Sequence, residues 1–267
     1  MTADLSLVRS VLFLPASNPR AITKARDAGS DLVVLDLEDA VKPEDKDSAR
    51  QAALEAIAEP WPMPVAIRIN GTGTEWHGHD LVAVTHCAPD FVVVPRVEDK
   101  EELSFVRTQS GRPLLAMIET ANGVLNAHDV THDCAGLIAG TNDLRADLHL
   151  SLDTGRDAIS ASLQLIVLAA RAAGISVFDG VYNKLDDLNG FASEAEEGRR
   201  LGFDGKSLIH PSQIEPCHRA FAPTEAELDR ARRLVDAFNG GVERFENEMI
   251  ERMHVEQAER LLARSQA

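Results

Sequence analysis

The sequence is short of cysteine and of long apolar runs. Its 267 residues include three cysteines, Cys87, Cys134 and Cys217, and none belongs to a Cys-x-x-Cys pair. An odd, dispersed set argues against a disulfide framework and a zinc cluster, and it favours a reducing compartment, so we expect a cytoplasmic protein. No apolar run approaches the length of a membrane span, and the N-terminus lacks the basic and apolar regions of a signal peptide.

Basic residues are also scarce relative to acidic ones. The chain has 27 lysines and arginines against 43 aspartates and glutamates, which gives a formal net charge of −16. So acidic a chain repels nucleic-acid backbones and anionic membranes, and we expect neither as a partner. Most of this charge serves solubility. The remaining question is whether some of the carboxylates are held together by a bound cation.

Short apolar runs, each followed by a segment of helical pattern, predict the fold. Several runs are continuous, as in Leu32-Val33-Val34-Leu35, which is typical of parallel strands covered on both faces. The eight runs cover residues 10–15, 31–37, 64–70, 90–95, 113–119, 136–140, 175–179 and 206–210. Eight strand–helix units favour a (β/α)8 TIM barrel. An open doubly wound sheet is the alternative, although no Gly-x-Gly-x-x-Gly motif follows the first run.

The chain continues beyond the predicted barrel. We assign residues 1–222 to the barrel and residues 223–267 to an appended C-terminal helical extension. Residues 224–238 have a helical pattern, and Thr224 and Glu227 have the spacing of a capping box. Asn239-Gly240-Gly241 ends that helix, and residues 255–264 form a last helical pattern. Between them stand four large apolar residues, from which we predict packing on a neighbouring subunit, with packing on the same barrel as the alternative: Phe245, Met249, Ile250 and Met253.

Carboxylates dominate the positions where the predicted strands end, which is where barrels place their reacting groups. Glu119 ends the fifth run and Asp143 begins the loop after the sixth, so the two belong to neighbouring strands. Mg²⁺ sites typically have two carboxylate ligands, while water and substrate oxygens occupy the other coordination positions of the ion. We therefore predict Mg²⁺ here, with Mn²⁺ as a substitute. The alternative is that each acid only caps the helix that follows it.

Two arginines are the permanent cations at these strand ends, Arg68 and Arg96. Arg68 stands on an otherwise apolar strand, so its guanidinium needs an anion. That anion is either a nearby acid, Asp36 or Glu38, or a substrate carboxylate or enolate. The residues alone leave both interpretations open.

Six motifs along the chain resemble one known family. They are Arg9-Ser10-Val11-Leu12-Phe13-Leu14-Pro15 with Pro19-Arg20 and Lys24-Ala25, Leu35-Asp36-Leu37-Glu38-Asp39-Ala40-Val41, Arg68-Ile69-Asn70, Ile118-Glu119-Thr120-Ala121, Gly205-Lys206 and Ile209-His210-Pro211-Ser212-Gln213-Ile214. In this order they resemble citrate lyase beta-subunit-like proteins of the HpcH/HpaI aldolase superfamily. The resemblance covers nearly the whole chain.

The resemblance implies a barrel that assembles as a homotrimer or a multiple of it. It implies a magnesium-dependent carbon–carbon lyase or synthase that acts on malyl-, citramalyl- or citryl-CoA, or on the keto acid. Glu119 and Asp143 would bind the metal, and Glu119 and Arg68 the substrate. Arg20 and Lys24 would meet the CoA phosphates. The alternatives are a thioester hydrolase on the same scaffold and a citrate lyase beta subunit that needs partner subunits.

Three positions depart from the family pattern. The motif after the sixth strand is Asn142-Asp143-Leu144 where relatives have Glu-Asp-Leu, and Asn122 stands where they often have arginine. Near the C-terminus, Glu251 stands where relatives have an aspartate that reaches the site of a neighbouring subunit. The resemblance therefore implies that Glu251 serves acid–base catalysis there.

Overall fold

Eight short parallel strands close into a barrel in the order of the sequence in the computed structural model, which describes residues 4–264. The last strand pairs with the first, Ser10 facing Lys206, so the open-sheet alternative is wrong. Each strand lies within or next to its predicted run, and the TIM barrel is confirmed. The strands are β1 (Ser10–Pro15), β2 (Leu32–Asp36), β3 (Val65–Arg68), β4 (Phe91–Val94), β5 (Leu114–Ile118), β6 (Gly136–Ala139), β7 (Ser176–Asp179) and β8 (Gly205–Leu208).

Helices follow the strands and cover the outer face of the barrel. They are α1 (Pro19–Ala25), α2 (Lys46–Ala58), α3 (His77–Cys87), α4 (Lys100–Ser110), α5 (Ala121–Leu125), α6 (Ala127–Val130), α7 (Thr141–Asp147), α8 (Ser160–Ala173), α9 (Leu188–Leu201) and α10 (Ile214–Phe221). Gly174 ends α8 in the left-handed conformation, which glycine adopts without strain. Among residues 4–264, no helix is long and apolar enough to cross a membrane.

Side chains from seven of the eight strands, β1 to β7, meet in the barrel interior. Phe91, Leu115 and Phe178 are buried there. All residues of β2, β3, β4 and β5 are buried, which explains their continuous apolar sequences. The polar residues that do occur on these strands stand mostly at the carboxyl ends, Asp36 and Arg68 among them.

The chain divides into two compact units, Met1–Ala220 and Phe221–Ala267. The second contains α11 (Glu225–Ala237), a hairpin of β9 (Glu243–Phe245) and β10 (Glu248–Ile250), and α12 (Arg252–Arg264). Thr224 and Glu227 form the predicted capping box. The hairpin was not predicted. Its turn residues, Glu246 and Asn247, both have positive φ, which two-residue hairpin turns require, but they lack the glycine that usually signals such a turn.

Packing inside this second unit changes one argument from the sequence. Ile250 is buried against α11 and α12, and Phe245 packs on the same cluster. Two of the four apolar residues that suggested a neighbouring subunit are therefore covered within the unit. Met249 and Met253 are 63% and 55% exposed. Of the four residues, only these two still support the prediction of packing on a neighbouring subunit.

A buried ionic network joins β7 and β8 to α9. Lys206 and Asp179 are fully buried, and their charged atoms are 2.8 Å apart. Arg156 donates to the other oxygen of Asp179 at 2.8 Å, and Glu194 lies 2.8 Å from the Lys206 ammonium. An added Cβ at Gly198 would be 2.7 Å from Asp179, so α9 approaches the network closely only because that residue is glycine.

We expect Lys206→Met to lower the free energy of unfolding by about 3–5 kcal/mol, because it leaves Asp179 buried with one fewer cation. Urea unfolding of both proteins measures this. The matched control is Arg200→Met, which removes an exposed ion pair with Glu196 and should cost less than about 1 kcal/mol. Equal costs for the two variants would show that the buried pair carries no special weight.

Candidate active site

A cavity of about 390 Å³ opens at the carboxyl ends of the barrel strands. Its wall brings together Arg68, Glu119 and Asp143, three of the residues singled out from the sequence. Asp36 and Asp39 also line it. These groups come from β2, β3, β5 and the start of α7, because parallel strands in a barrel all end at the same rim.

Three carboxylates surround the guanidinium of Arg68. Its Nε and Nη2 contact the two oxygens of Asp36 at 2.7 and 2.6 Å. Its Nη1 is 2.9 Å from Glu38 and 3.5 Å from Asp39. These contacts raise the pKa of Arg68 above its usual range against the opposing effect of burial. The structural pairing with Asp36 and Glu38 is thus observed, while the guanidinium still borders the cavity.

Glu119 is only 2% exposed, and half of its carboxylate has no partner. Oε1 accepts a hydrogen bond of 2.7 Å from the backbone N–H of Arg96. Oε2 is buried and makes no hydrogen bond to any residue that the structure describes. Gly140 lies against it, and an added Cβ there would be 2.2 Å from Oε2. Only glycine at that position leaves room for this carboxylate.

Charge repulsion and burial together disfavour ionised carboxylates here. Burial, and then the neighbouring Asp143, raise the pKa of Glu119 to about 7. Burial, and then Asp39, raise the pKa of Asp143. The pKa of Glu38 is raised to about 8, mainly by burial, although Arg68 opposes the shift. A site with several carboxylates in this condition gains free energy from a bound cation.

The donor set fits Mg²⁺ better than a metal that needs many protein ligands. In the described part of the chain, no three or more His, Cys, Asp or Glu side chains group as a metal cluster. Mg²⁺ commonly binds to one or two carboxylates and keeps water or substrate oxygens in its other positions. The unpartnered Oε2 of Glu119, with Asp143 nearby, is compatible with that mode.

Arg20 and Lys24 do not line this cavity. They are exposed on α1, one helical turn apart, and their side chains make no hydrogen bond or ion pair with residues 4–264. Glu251 belongs to the second unit, where its backbone N–H donates to Nδ1 of His254 at 3.0 Å. Its location relative to any barrel stays a prediction.

One feature of the rim has no signal in the sequence. The side-chain amides of Asn142 and Asn183 bond to each other reciprocally, at 2.7 and 3.3 Å, and both line the cavity. In the sequence, Asn142 stands out only as a departure from a family motif, and no pattern marks Asn183. Their pairing across 41 residues depends on the closed barrel, which brings the loops after β6 and β7 together.

Comparison with known proteins agrees with this architecture. The chain is 38% identical to "(3S)-malyl-CoA thioesterase" of Cereibacter sphaeroides, over 97% of this chain and 95% of the relative. It is 32% identical to "Citrate lyase subunit beta" of Escherichia coli, over 97% and 93%. The crystal structure of CitE from Mycobacterium tuberculosis with magnesium, acetoacetate and coenzyme A matches with a TM-score of 0.89 and 31% identity, over 98% of this chain and 100% of that one.

The family model "HpcH/HpaI aldolase/citrate lyase" matches residues 9–211. This range includes all eight barrel strands and the helices α1 to α9, and it ends before α10. The relatives extend this likeness through the second unit, since they cover 97% of the chain. The resemblance inferred from the motifs is confirmed, and the chain belongs to the HpcH/HpaI aldolase/citrate lyase family.

Proposed function

We propose that this protein is a magnesium-dependent carbon–carbon lyase or synthase that acts on a small hydroxyacyl-CoA of the malyl-, citramalyl- or citryl-CoA type. The observation that carries the proposal is the pair formed by the buried Glu119, with one unpartnered carboxylate oxygen, and the half-buried Asp143, beside Arg68 in one cavity. Relatives add the chemical class, since their names include malyl-CoA thioesterase and citrate lyase, and one related structure binds magnesium, acetoacetate and coenzyme A.

Glu119 and Asp143 would hold the metal ion. When bound, Mg²⁺, or Mn²⁺ in its place, supplies a Lewis acid where negative charge develops on a substrate oxygen. Arg68 borders the same space, and its positive charge favours a substrate carboxylate or the thioester enolate. Because Asp36, Glu38 and Asp39 fix the guanidinium, it is oriented before substrate arrives.

In the cleavage direction, the substrate hydroxyl passes its proton to the catalytic carboxylate and becomes the carbonyl of the released acid. The bond between the hydroxyl-bearing carbon and the carbon next to the thioester breaks, and the electron pair forms the thioester enolate. That enolate then takes up a proton to give an acyl-CoA. We assign this proton transfer to Glu251 of a neighbouring subunit in a homotrimer or a multiple of it. Arg20 and Lys24, which are exposed and unpaired among the described residues, are proposed to contact the CoA phosphates. We place the enzyme in the cytoplasm.

Thioester hydrolysis is a second candidate, because the relatives that are 38% identical carry the name malyl-CoA thioesterase. The two reactions differ in their products. A lyase yields a carbonyl acid and an acyl-CoA, whereas a hydrolase yields the intact hydroxy acid and free CoA thiol. A citrate lyase beta subunit that depends on partner subunits would leave free CoA esters unchanged.

We expect the purified protein with Mg²⁺ to convert at least one of the three thioesters to a carbonyl acid without release of free thiol. Glu119→Gln and Asp143→Asn should each lower both the affinity for Mg²⁺ and kcat/KM by at least about tenfold, since each removes a charged ligand. Glu101→Gln, on the exposed face of α4, is the matched control. Release of thiol with intact hydroxy acid would favour the hydrolase, and full activity of both site variants would exclude the metal assignment.

In the metal-free protein, the contribution of Glu119 to stability should fall as the pH rises. Because the pKa of Glu119 is raised from 4.5 to about 7, the folded chain keeps a proton in that interval that the unfolded chain has released. Folding therefore becomes less favourable from about pH 4.5 to 7. With EDTA, the stability of Glu119→Gln relative to wild type should rise by up to about 3 kcal/mol over this interval. Thermal or urea unfolding at both ends of the interval measures the change.

Addition of Mg²⁺ should reverse this gain in the relative stability of Glu119→Gln, because the ion binds the Glu119 carboxylate, which only the wild type has. Glu101→Gln should follow the wild type at each pH, with and without the metal. If the relative stability of Glu119→Gln does not change with pH, Glu119 is ionised throughout and the argument from its buried oxygen is wrong.

Shared active sites predict complementation between two inactive variants. Glu119→Gln removes a barrel residue, and Glu251→Gln removes a residue of the second unit. If each barrel uses its neighbour's Glu251, mixed oligomers should recover activity, because a barrel with Glu119 can meet a Glu251 from the other chain. If each chain serves its own barrel, no mixed site is complete, and mixtures with confirmed subunit exchange stay inactive. Point variants are preferred to truncation since they leave the core around Ile250 intact.

A further inference from the structure

The two arginines at the barrel rim differ in their partners. Arg68 is held by three carboxylates, so its hydrogen-bonding positions are largely used. The side chain of Arg96 has no hydrogen bond and no ion pair with any residue between 4 and 264, and the residue is exposed. Arg96 is therefore the guanidinium of this rim that remains available to a ligand.

The backbone of Arg96 is fixed beside the proposed metal ligands. Its N–H donates to Oε1 of Glu119, and the next N–H, of Val97, donates to the carbonyl of Met117 at 3.1 Å. Its φ is +51°, in the left-handed region. Glycine would adopt that conformation at lower energy and offer the same N–H to Glu119. The backbone role thus does not require arginine, and it does not explain the side chain at this position.

A second cavity, of about 790 Å³, has Arg96 in its wall. Asp39 lines both this cavity and the first one, so the two adjoin at that residue. The backbone N–H of Arg96 also donates to Glu119 at 2.7 Å, so Arg96 stands directly beside one of the proposed metal ligands. A ligand bound at Glu119 and Asp143 can therefore extend toward Arg96.

The second cavity is otherwise acidic, with Glu38, Glu98, Asp99 and Glu102 in its wall besides Asp39. If Arg96 served only to neutralise these acids, its guanidinium would pair with one of them. None lies within ion-pair distance of it, in contrast to the three acids around Arg68. An anionic group near Arg96 itself would gain a bidentate contact that no protein group occupies.

We propose that Arg96 binds a second carboxylate of the substrate's acyl group, beyond the carboxylate next to the reacting carbonyl or hydroxyl. This inference rests on the proposed function and narrows its substrate class to acids with an additional carboxylate. Arg68 cannot take this role without giving up a contact with Asp36, Glu38 or Asp39. Arg96 is thus a specificity-determining residue that need not touch the reacting atoms.

Binding of two simple acids in the presence of Mg²⁺ tests the proposal without turnover. Pyruvate and oxaloacetate share a 2-oxo acid group, and only oxaloacetate has the second carboxylate. Calorimetry of wild type should give at least roughly tenfold tighter binding of oxaloacetate, the effect of one charge-assisted contact. Arg96→Gln and Arg96→Gly should lose this preference, while their affinities for pyruvate and Mg²⁺ stay unchanged because both keep the N–H that holds Glu119. Arg96→Lys should keep part of the preference.

Arg107→Gln is the matched control, since it removes one positive charge from the surface of α4, where Arg107 pairs with Asp133. Its oxaloacetate preference should equal that of wild type. The proposal is overturned if wild type shows no preference for oxaloacetate or if Arg96→Gln retains that preference. It is equally overturned if Arg96→Gln weakens the binding of oxaloacetate and of pyruvate by the same factor. It is also overturned if Arg96→Gln changes only the binding of CoA thioesters and not of dephospho-CoA thioesters, which would assign Arg96 to a phosphate. Failure of the proposed function itself would appear differently, as wild type that binds neither Mg²⁺ nor either acid.

Discussion

Mutual repulsion among carboxylates at the carboxyl end of the barrel is the constraint on which the site depends. Arg68 contacts one group of them, Asp36, Glu38 and Asp39, although burial still raises the pKa of Glu38 to about 8. It makes no ion pair with the other group, Glu119 and Asp143, whose pKa values are also raised. The carboxylates without a cationic contact therefore stand at the ends of two neighbouring strands, where one cation or one proton can relieve the repulsion. The fold carries that unfavourable charge because the remaining barrel is closely packed.

The backbone near Glu119 is adapted to this arrangement. The left-handed conformation at Arg96 aims an N–H at one carboxylate oxygen, and the glycine at position 140 makes room for the other. Such features cost stability and supply no packing, so they fit the general observation that strain collects where ligands bind. In the buried pair of Lys206 with Asp179, by contrast, each carboxylate oxygen contacts a cation, Lys206 or Arg156. The difference between satisfied and unsatisfied charge separates the structural network from the candidate site.

The sequence predicted those parts of this molecule that depend on local pattern. Short apolar runs marked all eight strands, and the ends of these runs marked the rim residues, including Glu119 and Asp143. The partners of Arg68 stayed open, because sequence spacing does not tell whether a guanidinium faces a protein acid or a ligand. The pairing of Asn142 with Asn183 and the hairpin at residues 243–250 were missed. One depends on closure of the ring, and the other uses a Glu-Asn turn without the usual glycine.

The structure of the second unit sharpens what Glu251 can do. Glu251 directly follows β10, whose last residue, Ile250, is buried between α11 and α12, and its own N–H is bonded to His254. The residue is therefore held at a fixed corner rather than on a loose tail. Side chains alternate along a strand, so Ile250 points into the unit and Met249 points out, where it is exposed. Glu251 itself is half-buried at the junction between β10 and α12. A carboxylate that stands between a strand and a helix is held by rigid elements, which the acid–base role proposed for Glu251 requires.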